Sequence, residues 1–231
     1  MKVPDGTLLE ANFQRLQNIV RQELLSYQDW TRMLETLQQD RVYGDKIYAG
    51  AMCAPAGKGN HHYWRGGWVE HVLEMWDIYN KWCDCGMLDR RTIFCESYRV
   101  LKIIIAHDLH KTFLEFIYKS DVKEGDDYLF DYGDYPYKKL LTPDLCSLHI
   151  LNQFNIKFDA VEMNALANSE GGWCKNPTKF TSVLAKLVYL TDEMSSNVLS
   201  RIKDQTSLNV RVKDSSETFG YVNPFQSISK L

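Results

Sequence analysis

Apolar residues at Leu8, Leu9, Phe13, Leu16, Ile19, Val20 and Leu24 recur three or four positions apart, which predicts an amphipathic helix over Leu8 to Leu25. Trp30, Met33, Leu34 and Leu37 predict a second helix, and Asp40-Arg41-Val42-Tyr43-Gly44-Asp45 then breaks the period with turn formers. Ala54-Pro55-Ala56-Gly57-Lys58-Gly59-Asn60 reads as a loop that ends in His61-His62 and Gly66-Gly67. From Gly67 the period resumes with Trp68, Val72, Met75, Trp76 and Tyr79. After a turn at Cys83-Asp84-Cys85-Gly86, the segment Arg90 to Ala106 reads as a central helix, apolar on nearly all sides by its end.

Phe113 to Tyr118 and Tyr128-Leu129-Phe130 flank a charged, glycine-bearing stretch, Asp121 to Asp127, and predict a small β-hairpin. Tyr132, Tyr135 and Tyr137 alternate with Asp131, Asp134 and Pro136 in an aromatic, acidic loop that either stacks on a base or covers the core. Helical patterns return at Pro143 to Phe154 and at Asp159 to Asn168, the second with Asp159 as N-cap and Glu162 at the third helical position. Ser169-Glu170-Gly171-Gly172-Trp173 ends it. A last helix is expected over Thr178 to Leu199, and the tail from Ser207 to Leu231 carries no usable motif.

With 231 residues and 45% hydrophobic content, the chain can bury one substantial core, and a single compact unit is expected. A net charge of -3 argues against a global basic field for nucleic acid, although a local groove is compatible with it. The six cysteines show neither a Cys-x-x-Cys pair nor a repeated spacing, and no apolar N-terminal signal is visible. Reduced thiols and a cytoplasmic location are the expectation. No apolar run reaches the ~18 residues of a membrane span.

Four polar residues stand where the pattern is apolar. His71 falls three residues after Trp68 and four before Met75, on the inward face, as either a core histidine bonded to a carbonyl or a ligand. The run Ile103-Ile104-Ile105-Ala106 delivers His107 and Asp108 toward the interior, and Asp192 lies four residues after Val188 on the apolar face of the last helix. A carboxylate buried beside an imidazole costs several kcal/mol unless something charged binds it. Two imidazoles and two carboxylates make a nitrogen and oxygen set suited to one divalent cation, among manganese, iron, zinc, cobalt or magnesium.

In the order His, His-Asp, Asp, these residues resemble the HD-domain superfamily of metal-dependent phosphohydrolases, an all-α fold. Ala54-Pro55-Ala56, the Lys58-to-His62 run and Gly66-Gly67-Trp68-Val69-Glu70-His71 look like the motif before the first ligand helix in the branch of 3′-to-5′ exoribonucleases. His107-Asp108-Leu109-His110-Lys111 is similar to the HD-x-x-K segment. The Tyr-rich loop, Ser147-Leu148-His149-Ile150-Leu151 and Glu162-x-x-Ala165-Leu166 resemble stand-alone bacterial and phage members. The resemblance implies an all-α helical bundle with a small β-hairpin insertion. It divides the chain into N-terminal helices (1-50), the HD domain (51-202) and a C-terminal tail (203-231). Relatives carry extra histidines for a second metal, where this chain has Ser169 and a non-aligned His149, so a single ion is expected and di-iron oxygenase chemistry is disfavoured.

The resemblance implies hydrolysis of a phosphate ester or anhydride by a water activated on a cation held by His71, His107, Asp108 and Asp192. Lys111 is then placed to offset charge on phosphoryl oxygens, or is solvated. His61, His62 and Arg65 become candidates for substrate contact, and His110 for a role behind the ligands or as general acid. The leading expectation is a nucleotide phosphohydrolase. A 3′-to-5′ exonuclease on single-stranded nucleic acid, and a degenerate module that binds a nucleotide or protein without turnover, are the alternatives. Association into a homo-oligomer stays open.

Overall fold

The computed structural model describes residues 6–43, 46–57, 61–62, 64–91, 96–113, 115–118, 130–132, 140–169 and 182–199. The expected loop residues Lys58, Gly59 and Asn60, most of the Tyr-rich loop, the Glu170-to-Trp173 stop and the tail lie outside them. The protein is mostly helical. Among the described residues, seven α-helices run in the order α1 (Gly6–Glu23), α2 (Tyr27–Leu37), α3 (Gly67–Asp84), α4 (Ser97–His107), α5 (Pro143–Gln153), α6 (Ala160–Ala167) and α7 (Val183–Glu193). Among the described residues, no helix is long and apolar enough to cross a membrane, and Cys53, Cys83, Cys85 and Cys146 form no disulfide.

One core joins these helices. Phe13, Leu16 and Val20 of α1 and Trp30, Met33 and Leu34 of α2 share it with Trp68, Val72 and Met75 of α3 and Ile103, Ile104 and Ile105 of α4. Leu24 is buried just past α1, whereas Leu25, the predicted end of the first helix, is 90% exposed. The N-terminal helices therefore belong to the same core as the helices that carry the site.

The predicted hairpin is present as β3 (Glu115–Tyr118) and β4 (Phe130–Tyr132), paired antiparallel with Ile117 opposite Asp131. It is half of a larger sheet. β1 (Arg41–Tyr43) and β2 (Lys46–Tyr48) form a second hairpin where the sequence suggested only turn formers, and β2 pairs with β3 to give the order β1-β2-β3-β4. The Arg41 guanidinium fastens this sheet to the segment after α4. It donates to the carbonyls of Ala49 and Thr112 and lies 3.9 Å from the centre of the Phe113 ring.

Two helix boundaries differ from the periodicity. Arg90 and Arg91 do not start α4, because the Asp89 side chain accepts from the Arg91 backbone N–H at 2.9 Å and closes a local turn. α7 begins later than Thr178: Ser182 is extended, and its hydroxyl caps the Ala185 N–H at 3.1 Å. Beyond α7, Met194–Leu199 widens into a π-helical turn. There Ser196 donates to the Asp192 carbonyl, a competing bond of the kind that loosens a helix. The expected capping box of α6 is complete, with Asp159 accepting from Val161 and Glu162 and the Glu162 carboxylate accepting from the Asp159 N–H.

The start of α3 is set by backbone. Gly66 takes φ +82°, and the N–H groups of Gly66 and Trp68 donate to the carbonyls of Cys53 and Ala54 at 3.2 and 2.8 Å. The Ala56 N–H in turn donates to the His62 carbonyl at 3.1 Å, which holds these two residues together. A Cβ on Gly67 would overlap that same carbonyl. Gly67→Ala is therefore expected to destabilise the protein by about 1–3 kcal/mol, read as a lowered urea midpoint.

Candidate metal centre

His71 sits in the first turns of α3, fully buried, and His107 is the last residue of α4, 4% exposed. The structure fixes the proton on each ring. His107 Nδ1 lies 2.7 Å from the Ile104 carbonyl oxygen, which can only accept, so Nδ1 is the N–H and Nε2 carries the lone pair of the neutral ring. His71 Nδ1 lies 3.0 Å from Ser195 Oγ, whose own proton goes to Glu74 Oε2 at 2.7 Å, so Nδ1 again donates. With the proton on Nδ1, His107 Nε2 has no hydrogen-bond partner and His71 Nε2 faces a carboxylate oxygen of Asp192 rather than a donor. Two bare imidazole nitrogens inside a protein call for a positively charged guest.

The carboxylates complete the surroundings. Asp192, on the last turn of α7, places Oδ1 3.2 Å from His71 Nε2. His71, His107 and Asp192 each offer an atom within 4.8 Å of the other two, a buried group that could hold a metal ion. Asp108 Oδ2 lies 3.5 Å from His107 Nε2 and 4.0 Å from His71 Nε2, but its nearest neighbour is Lys111 Nζ at 2.5 Å. The structure thus gathers three of the four predicted ligands tightly and keeps the fourth at their edge, turned to a lysine. Lys111 also donates to the Ala56 carbonyl, which ties the segment after α4 to the loop before α3.

Electrostatics favour the ligand forms. Burial pushes the His71 imidazole well below its ordinary pKa, only partly opposed by Asp192, so it is neutral near pH 7. Burial alone would raise Asp108 and Asp192. For Asp108 the Lys111 ammonium leads the neighbours that outweigh burial, and for Asp192 the contact with His71 does so, so both carboxyls are held below the usual range. A neutral His71 imidazole beside ionised carboxylates suits a divalent cation.

The other predicted residues are distributed around this group. His61 and His62 face one another through Nδ1 at 3.2 Å, and their ring centres lie 5.0 and 5.2 Å from that of His71. Burial first, then the neighbouring histidines and Lys111, lower His61 to about 3, so its ring is neutral near pH 7. Arg65 sets its guanidinium against the Cys53 sulfur at 3.1 and 3.2 Å. His110 is buried in the 3₁₀ turn Leu109–Phe113, and burial lowers it to about 3, which suits a structural hydrogen bond better than proton donation near pH 7. Ser169 donates to the Leu166 carbonyl at 2.8 Å, and His149 is exposed beside Gln153.

Sequence reasoning missed Glu74 and Ser195. Glu74 follows His71 by three residues and so shares its inward face, a signal present in the sequence. Ser195 carried none, because the π-helical turn sets its direction. Compared with family models, with curated proteins and with solved structures, the chain gives no match in any of the three. The site's geometry therefore carries the functional argument alone.

Proposed function

We propose that this chain is a metal-dependent phosphohydrolase of the HD-domain superfamily acting on nucleotides. The observation that supports this reading is the pair of bare Nε2 atoms on His71 and His107, each fixed from behind and facing Asp192 and Asp108. His71, His107, Asp192 and Asp108 would hold one divalent ion of the manganese, iron, zinc, cobalt or magnesium type. Bound there, it supplies a water of lowered pKa and polarises a phosphoryl oxygen.

The chain's own groups do the rest. Lys111 brings an ammonium to the rim of the group, 21% exposed at its side chain, where it neutralises charge on the phosphoryl oxygens in the transition state. Its ion pair with Asp108 holds it there before substrate binds. His61, half-buried over His71, offers a neutral N–H to a phosphate oxygen or leaving group. Trp68, Val72 and Ile104, fully buried, belong to the core that the ligand-bearing helices share.

The test is elemental analysis of the purified protein, followed by a panel of nucleoside mono-, di- and triphosphates scored for phosphate or pyrophosphate release, with His107→Ala as control. Release that needs a divalent ion and vanishes in the control is the expected result. An untouched panel together with degradation of single-stranded oligonucleotides would replace this reading with a 3′-to-5′ exonuclease. That second reading is favoured by the way the Ala54-to-His71 stretch is bonded onto the site. Stoichiometric metal with no turnover on either substrate class would leave a binding module.

A further inference from the structure

Glu74 is fully buried one turn beyond His71 on α3, and a cation held by His71, His107, Asp108 and Asp192 does not itself require it. A carboxyl in such a place is unfavourable unless its oxygens are used. Its Oε2 accepts the Ser195 hydroxyl at 2.7 Å and faces His62 Nε2 at 3.2 Å. Ser195, also fully buried, comes from the π-helical turn three residues after Asp192. A serine hydroxyl has one proton. With that proton directed to Glu74, Ser195 Oγ can only accept from His71 Nδ1, 3.0 Å away.

We propose that Glu74 is a positioning residue of the centre: through Ser195 it keeps the His71 proton on Nδ1 and the Nε2 lone pair free for a cation, while the same carboxylate oxygen lies 3.2 Å from His62 Nε2. This rests on the reading of the His–Asp group as a cation site. It joins three segments, because one carboxyl on α3 sets the ring of a ligand on its own helix, through the turn that follows another ligand, and also faces the loop before α3. The direction of the proton chain is the working part. A leucine in place of the glutamate leaves the Ser195 proton with no acceptor there, whereas an amide keeps one whenever its carbonyl oxygen faces the serine. In Glu74→Leu, Ser195 donates to His71 Nδ1, and the ring proton moves to Nε2, where it blocks ligation.

Glu74→Leu is therefore the informative replacement, with Ser195→Ala as its partner, both in the full chain. Long-range proton–nitrogen spectra of the cation-free protein read the His71 tautomer directly: Nδ1–H is expected in the parent and a shift toward Nε2–H in each variant. Titration with Mn2+ is expected to show ~10–100-fold weaker binding in each. The double variant should be no weaker than the worse single one, because both act on one path. An unmoved tautomer in both variants, or losses of Mn2+ affinity that add, would overturn the proposal. The spectra need no bound ion. A parent that binds no Mn2+ but shows the tautomer shift sinks the phosphohydrolase reading and keeps the positioning role. A parent that binds Mn2+ with no shift does the reverse. If Glu74→Leu does not fold, Ser195→Ala, a one-atom truncation on the turn, carries the same spectral test.

Discussion

His107→Ala is expected to abolish stoichiometric divalent-cation binding and to lower nucleotide hydrolysis by at least ~10³-fold, about 4 kcal/mol in the barrier. The argument starts from a single atom. His107 Nε2 is buried without a hydrogen-bond partner because Nδ1 is held by the Ile104 carbonyl, so the ring contributes little to folding through that nitrogen. Its removal leaves two carboxylates and His71 around a vacant corner, too few tightly placed ligands for the ion. Stability separates this role from a packing role. The parent should gain RT ln(1 + [L]/Kd), about 2.7 kcal/mol at a hundredfold excess over Kd, when Mn2+ is added before urea unfolding. The variant should gain nothing. Equal cation-dependent stabilisation in the two proteins would remove His107 from the ligand set.

That prediction was accessible from the sequence because His107 interrupts an apolar run, and the same arithmetic located His71 and Asp192. A 3.6-residue period states which side chains meet the core, so a polar residue on that face is visible without coordinates. It does not state what lies behind the polar residue. The Ile104 carbonyl, Ser195 and Glu74 reach the histidines from one turn back, from another helix end and from the next turn, and only packing reveals such partners. The same limit explains the sheet. β1 and β2 are three residues each, carry Arg41 and Lys46, and owe their existence partly to pairing with β3, some seventy residues on. Local propensity is weak evidence for contacts of that range. Where a side chain's own local bonds decide, as in the capping box of Asp159 and Glu162, the sequence was sufficient.

Ser169 shows a different boundary. The resemblance made it the position of an absent second-metal histidine, yet its hydroxyl closes the end of α6 on the Leu166 carbonyl. The group gathered around His71 instead continues into His61 and His62. A metal site is thus read better from what faces the ligands than from which family position is vacant.

The cation-free protein should lose stability steeply as pH falls from 7 toward 4, well before its carboxylates titrate. His71, His61 and His110 all have folded pKa values below the ordinary 6.5, each chiefly through burial, with His61 and His110 at about 3. Below pH 6.5 the unfolded chain binds protons that the folded one refuses, so stability is fully present above 6.5 and falls as pH drops toward the folded values. Each such histidine contributes a slope of up to about 1.4 kcal/mol per pH unit. For buried His110 alone, the window from 6.5 to about 3 amounts to roughly 5 kcal/mol, comparable to the stability of a whole domain. Asp108 and Asp192 act later. Their folded values lie below 3.8, so the stability they contribute is present above 3.8 and is lost only as pH falls further. Urea midpoints at pH 7.5, 6.0, 5.0 and 4.5, with chelator present, give the slope. His110→Gln, which leaves a polar side chain with no ring to protonate, should flatten it by about one proton between pH 6 and 4.5. A midpoint that stays level from 7.5 to 5.0 would mean that these imidazoles reach water or an acidic partner on protonation, and the neutral-histidine basis of the cation site would fall with it.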